Sequence, residues 1–375
     1  MLHHIRLTDF RNYSSCRVDL HSGMNCFIGR NGQGKTNLLE AVYYLSLLRS
    51  FRTSRLADLI SWKKNGFVLS GQARDSAGRP VDLAVSQGLE RKLLINHNPV
   101  YRASDFINQF VCVTFIPQDL ELIQGDAQLR RRFMDIAISQ SSPGFLRHLQ
   151  AYGNALKSRN AMLRNLDKYP RTMITAYDCQ MIREGIAVEL ARKEFARDIN
   201  QSLEEKSVSL LTAERRLEVR YLSRLSNLLQ CSDDDPDQLE ATYRQGLEKS
   251  YERDCRYGYT AIGPHRADLS CILDGNLLNR YGSQGECRIA SLALRFACLD
   301  IIRRRRGDDD VTLIVDDVFG ELDAFHRRHF FAELTHGSQV LLACTAIPSE
   351  LGRPDRLYNV SAGTLSSPQE KHEEE

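Results

Sequence analysis

Residues 29–36 read GRNGQGKT, a complete G-x-x-x-x-G-K-T phosphate-binding loop. Such a loop must sit between a strand and a helix. Only there do its backbone N–H groups and the helix N-terminus converge on one anion. The flanks agree. Cys26, Phe27 and Ile28 form an apolar strand-like run, and Thr36 to Leu48 reads as a helix with Leu38, Leu39, Val42 and Leu45 on its inner face. Lys35 is expected to reach the β- and γ-phosphates of a nucleoside triphosphate, and the Thr36 hydroxyl to ligate magnesium. A glycine-rich turn that binds nothing is the bland alternative, and the strand–loop–helix context argues against it.

A second half of the site is expected downstream. Val311 to Val315 is an apolar strand followed by Asp316 and Asp317, the pattern of a buried parallel strand that delivers carboxylates to a crevice. Asp316 would hold magnesium, and Asp317 would orient or deprotonate an attacking water. Two acids that merely begin a loop are the alternative. Ser283 and Gly285 precede a helix carrying Ile289, Leu292, Leu299 and Ile302. A hydroxyl and a glycine N–H at a helix start suit a γ-phosphate, or form a plain N-cap.

The rest of the chain sets the organisation. The first thirty residues alternate like strands, and a further β-like stretch lies between Phe67 and Val85. From about Asp126 to Tyr257 the pattern is helical. Leu146, Leu149, Tyr152, Leu156 and Leu163 share a face. Beyond Pro170, Ile174, Met181, Val188 and Phe195 recur every seven residues, which predicts an antiparallel helical hairpin. Such an arm could be a DNA or partner surface, or an ordinary packed lobe. A helix should start at Pro236 with Asp235 as N-cap and end near Gly258. Leu269, Cys271 and Leu273 then meet Asp274-Gly275, a hairpin signal. The expected division is a split ATPase domain, 1–117 with 259–365, interrupted by a helical insert, 118–258. The tail SSPQEKHEEE reads as a disordered acidic segment.

Composition bounds the class. The chain has no apolar run of about 18 residues, so no membrane span is expected. MLHHIRLTDF lacks a secretory h-region. Ten cysteines are scattered with no C-x-x-C, which favours reduced thiols and a cytoplasmic location. A formal net charge of +2 means any nucleic-acid contact must come from local patches.

Several segments stand in a telling order: FRNY at 10–13, GRNGQGKTNLLEA at 29–41, RSFRT at 49–53, FIPQDLELIQGDAQLRRRFMD at 115–135, GPHRADL at 263–269, SQGE at 283–286 and LIVDDVFGELD at 313–323. Together, over nearly the whole chain, they resemble the RecF family, bacterial recombination mediators of the ABC-type ATPase superfamily. The resemblance implies an α/β fold: an ABC-type P-loop ATPase head, with a mixed sheet flanked by helices and an antiparallel β subdomain, carrying the helical lobe. It implies ATP and Mg2+ as cofactors and weak ATPase activity. ATP would drive formation of a homodimer that binds single-stranded DNA, gaps or gap junctions, acting with RecR and RecO to load RecA in repair, replication and SOS induction. The site it implies contains Arg11, Asn12, Gly29, Arg30, Asn31, Gly32, Gln33, Gly34, Lys35, Thr36 and Asn37, with Ser283 and Gly285 reaching the nucleotide of a second subunit. Lys35, Gln118, Asp316, Asp317 and Thr345 would be catalytic, with Thr36, Gln118 and Asp316 on the metal. Glu321, Leu322 and Asp323 fall at the D-loop of ATPases that dimerise head to tail.

The chain departs from the family at Glu286, where Gln is usual, at Gln118, often acidic, and at Ala267. The switch histidine of transporter ATPases is absent, with Thr345 in its region. These changes bear on hydrolysis rate. Glu286 near a triphosphate is electrostatically unfavourable unless its side chain points away or pairs with a basic group, for which Arg288 is a candidate. Arg130 to Arg132 read as a DNA-coupling cluster or a solvated helix face. Arg303 to Arg306 read mainly as cations complementing a helix C-terminus. Tyr257 and Tyr259 could stack bases, but packing on the GPHR segment is the stronger reading. The alternative functions are a transporter nucleotide-binding subunit, or another P-loop ATPase such as a small-molecule kinase.

Overall fold

The computed structural model describes residues 1–74, 78–142, 144–210, 215–225, 235–307, 311–334 and 338–366. The expected acidic tail lies almost wholly outside the described residues. The chain divides into two compact units, Met1–Asp119 with Arg303–Glu375, and Leu120–Ile302.

The first unit holds two sheets. Among the described residues, one is antiparallel, with Tyr13–Asp19, Leu2–Phe10, Phe67–Arg74, Pro80–Gln87, Arg91–Ile95 and Asn98–Val100 in spatial order. The other runs Thr364–Ser366, Arg356–Ser361, Met24–Ile28, Gln339–Cys344, Thr312–Asp316 and Cys112–Phe115, parallel except for its first strand. The phosphate-loop helix, Lys35–Leu47, contacts strands of both sheets. That explains why Ala41, Tyr43, Tyr44 and Leu47 are buried along with the expected Leu38, Leu39, Val42 and Leu45. A helix between two layers needs apolar residues all round rather than on one stripe. The buried Gln339 amide ties the layers: it accepts from Leu2 N at 2.9 Å and donates to Leu2 O at 2.7 Å.

The second unit is mainly helical. Phe145–Leu163 and Arg171–Leu210 pack as the expected hairpin, and Ile174, Met181, Val188 and Phe195 are all fully buried. The helix Pro236–Tyr257 completes their core through Leu239, Tyr243 and Leu247. It begins as expected, with the Asp235 carboxylate accepting from Asp237 N at 3.0 Å, and stops at Gly258 with φ 69°. The expectation of helix throughout 126–257 is corrected by the strand Leu217–Leu222. It pairs antiparallel with Asp268–Leu273, which turns through Asp274-Gly275 into Asn276–Leu277. This pairing draws residues 259–302, grouped by the sequence pattern with the ATPase head, into the helical unit. No helix among the described residues is long and apolar enough to cross a membrane.

Candidate nucleotide site

Parallel strands place the site. Met24–Ile28 lies beside Gln339–Cys344, which lies beside Thr312–Asp316, which lies beside Cys112–Phe115. All four run the same way, so the segments after their C-terminal ends gather at one edge. Those segments carry the phosphate loop, Thr345, Asp316 with Asp317, and Gln118 in the turn Pro117–Leu120. Thr345, Asp317 and Gln118 are exposed there.

The loop is shaped by its glycines and by the FRNY segment. Gly34 has φ 117°, and a Cβ there would lie 2.7 Å from the Asn12 amide nitrogen. Only glycine meets both demands. Tyr13 donates to Gly34 O at 3.0 Å, and Asn12 donates to Gln33 O at 3.1 Å. Asn37 donates to Asn12 Oδ1 at 2.8 Å, and Gln33 Oε1 accepts from Ala362 N at 2.8 Å. Gly29 packs against Val360, whose carbonyl would lie 2.3 Å from any Cβ. Arg30, Asn31 and Gly32 form the exposed crown. The Lys35 amine is buried beneath, donating to Gly29 O at 2.6 Å and Arg30 O at 3.0 Å.

Thr36 Oγ1 donates to Asp316 Oδ1 at 3.0 Å, across 280 residues of sequence. A hydroxyl, a buried carboxylate and the Gln118 amide are all oxygen donors, a set suited to a hard cation such as magnesium that keeps several water ligands. Burial raises the pKa of Asp316, with Asp317 adding to the rise, while the Thr36 hydrogen bond, Arg52 and Lys35 oppose it. Asp317 adopts φ 48° and donates its N–H to Ala343 O at 3.3 Å. This left-handed turn takes its carboxylate out of the strand's line, into an exposed position.

Arg11 is tied to the phosphate-loop helix. Its guanidinium forms a bidentate pair with fully buried Glu40, both contacts at 2.8 Å, and also donates to Asp58 O at 2.6 Å. Ser50 and Arg52 close on the same carboxylate, with Arg52 at 3.6 Å. Arg52 also donates to Asn37 Oδ1 at 2.8 Å. FRNY and RSFRT thus both anchor to the phosphate-loop helix through Glu40 and Asn37. Sequence reasoning missed Glu40, although an acid inside an apolar helix is a detectable signal.

Ser283 and Gly285 belong to the other unit. The helix runs Gln284–Arg306, so Gly285 lies in its first turn and Ser283 caps it. Ser283 Oγ accepts from Glu286 N at 3.3 Å, and the Glu286 carboxylate accepts from Ser283 N at 2.8 Å. This is a reciprocal capping box. The basic partner of Glu286 is Arg215, which sequence reasoning did not single out: Arg215 meets Glu286 at 2.7 Å and Asp274 at 2.8 Å. Hydrogen bonding from Ser283 N, then Arg215, lowers the Glu286 pKa. Nothing in local sequence marks a partner 71 residues away. Ser283 and Gly285 themselves are exposed.

The arginine cluster at 130–132 is corrected in part. Arg130 is buried in a bidentate pair with Asp268 at 2.7 and 3.0 Å, and Arg131 donates to Ala267 O at 2.6 Å. Both hold the GPHRADL segment.

Residues 1–362 match the family model described as "RecF/RecN/SMC N terminal domain". A "DNA replication and repair protein RecF" from Streptococcus gordonii is 32% identical over 364 residues, 96% of this chain and 98% of that protein. This chain belongs to the RecF family. A RecF from an Exiguobacterium species is 31% identical, over 97% of this chain and 98% of its own length. A solved structure described as the recombination mediator protein RecF-ATP in the RecFOR pathway superposes with TM-score 0.90 at 25% identity, covering 98% of this chain and 97% of that one. A solved Smc head has TM-score 0.55 at 13% identity, with 98% and 96% covered, a likeness of fold alone. The RecF and Smc-head likenesses establish the α/β ATPase-head fold.

Proposed function

We propose that this protein is an ATP-gated, DNA-binding recombination mediator of the cytoplasm. The observation that carries the reading is the Thr36–Asp316 contact at the mouth of a complete phosphate loop, in a chain of the RecF family. The RecF-ATP description of a structural relative supports ATP as the ligand. An arriving triphosphate would take the Lys35 amine from the carbonyls of Gly29 and Arg30, and the loop's N–H groups would wrap its phosphates. Thr36 and Asp316, with Gln118, would hold Mg2+, which supplies charge neutralisation at the phosphates when bound. Asp317 and Thr345 would position the attacking water. Ser283 and Gly285, exposed on a capped helix start, would complete the nucleotide site of a second copy.

ATP thereby favours a homodimer that clasps DNA at single-strand gaps or gap junctions. Hydrolysis is a slow, DNA-stimulated switch. RecR and RecO are the implied partners, with RecA loading, replication repair and SOS induction as the outcome. The test is nucleotide-dependent binding to gapped DNA, with ATPase rates measured alongside. ATP should strengthen binding and ADP should not, and gapped DNA should stimulate turnover. Asp317→Asn should slow hydrolysis by on the order of a hundredfold or more and prolong the DNA complex. DNA binding indifferent to nucleotide would contradict the reading.

A further inference from the structure

Where the hairpin turn meets the end of the helix Pro236–Tyr257, the second unit presents a surface that nucleotide binding does not use. Tyr257 and Tyr259 are exposed at 58% and 41%. Their rings stack, with centroids 5.8 Å apart at 30°. The Arg266 guanidinium lies 4.8 Å from the Tyr259 centroid. Beside this stack is a cleft of about 530 Å3 whose lining includes Arg164, Asp167, Lys168, Arg256, Tyr257 and Gly258. Three cations thus face one carboxylate. Arg164, Lys168 and Arg256 make no ion pair among the described residues. Gly258 is what lets the turn close in, because a Cβ there would lie 2.8 Å from Arg164 Cγ.

From this juxtaposition we infer that the stacked Tyr257–Tyr259 pair and the Arg164–Lys168–Arg256 cleft form a docking site for single-stranded nucleic acid. A base stacks on Tyr257, and the adjoining phosphates enter the cationic cleft. A polar cleft with excess cations suits a polyanion, and exposed rings beside it suit unpaired bases rather than a closed duplex. The rings are already held against each other, and Tyr259 against Arg266, so little side-chain freedom is lost when a base arrives. The surface has no base-edge reader built into it, so binding is sequence-tolerant. The inference rests on the DNA-binding function proposed above and adds to it the place where a single strand is held.

The experiment uses the full-length protein with ATP, a labelled 30-nucleotide oligothymidylate and a blunt duplex of the same length. Tyr257→Ala should weaken oligothymidylate binding roughly five- to hundredfold, and Tyr257→Phe should keep it, because stacking needs the ring and not the hydroxyl. Duplex affinity should change less than about twofold in both. Lys168→Ala should flatten the salt dependence of single-strand binding by about 0.7 in slope. Tyr257→Ala binding the oligothymidylate as tightly as the unaltered protein would overturn the inference. So would equal losses on duplex, or polyglutamate competing as well as unlabelled oligothymidylate, which would mark an acidic-peptide surface instead. Failure of the unaltered protein to bind DNA in any nucleotide state would remove the proposed function as well, so the two failures are distinguishable.

Discussion

Asp316 is pulled two ways: burial favours its neutral form, and cation binding requires the charged one. Its pKa is raised, so acidification protonates it earlier than an ordinary carboxylate. Nucleotide affinity measured with magnesium should therefore fall as pH drops from neutral, and Asp316→Asn should give a low, flatter profile. The sign for stability is opposite. A raised carboxylate pKa disfavours the folded state above that pKa, so Asp316→Asn should raise the Tm of the nucleotide-free protein at neutral pH; a fall would contradict the burial argument. Glu286 illustrates a different balance. Its depressed pKa means its stabilisation is present above the ordinary carboxylate range and fades as pH falls through the lowered value. Because it closes a capping box, Glu286→Ala should cost about 0.3–1.5 kcal/mol by urea unfolding. Glu286→Gln, the family's usual residue, preserves the cap and should cost less. Equal losses would show that the Arg215 charge contact dominates.

At the scale of elements, buried charge holds the helical lobe together. Arg159 is fully buried and ties its own helix to two others and to the loop beyond Gly258, meeting Asp178 at 2.7 Å, Asp254 at 2.9 Å and Thr260 at 2.8 Å. Arg159→Leu should destabilise this unit by about 3–5 kcal/mol at neutral pH, because two carboxylates lose their partner. Asp178 is already pushed upward by burial, so the variant should recover stability as pH falls and the carboxylates take protons. A pH-independent loss would point to packing alone. Elements governed by short-range chemistry were legible beforehand: the phosphate loop with its helix, the Asp235-Pro236 start with its Gly258 stop, and the Asp274-Gly275 turn. The strand Leu217–Leu222 was not, since six residues amid helical pattern acquire strand character only from pairing with Asp268–Leu273. Side-chain partners were least legible. Arg11 pairs with Glu40 and Glu286 with Arg215 through tertiary contacts that no local spacing encodes.

At the scale of the whole molecule, the proposed function requires two copies to share each nucleotide. Ser283→Arg places a long cation where a second copy's triphosphate would approach, and also removes a helix cap, costing about 1 kcal/mol. It should abolish ATP-driven association while leaving monomer nucleotide affinity within about twofold. Asp316, Lys35 and Thr36 lie in one unit, and Ser283 and Gly285 in the other. On the proposed function, mutation should therefore separate nucleotide binding from association. Sedimentation velocity of the unaltered protein with magnesium and ATP, ADP or no nucleotide tests this most directly. A shift to the dimer with ATP alone is the predicted result; one sedimenting species, the same under all three conditions, would contradict it.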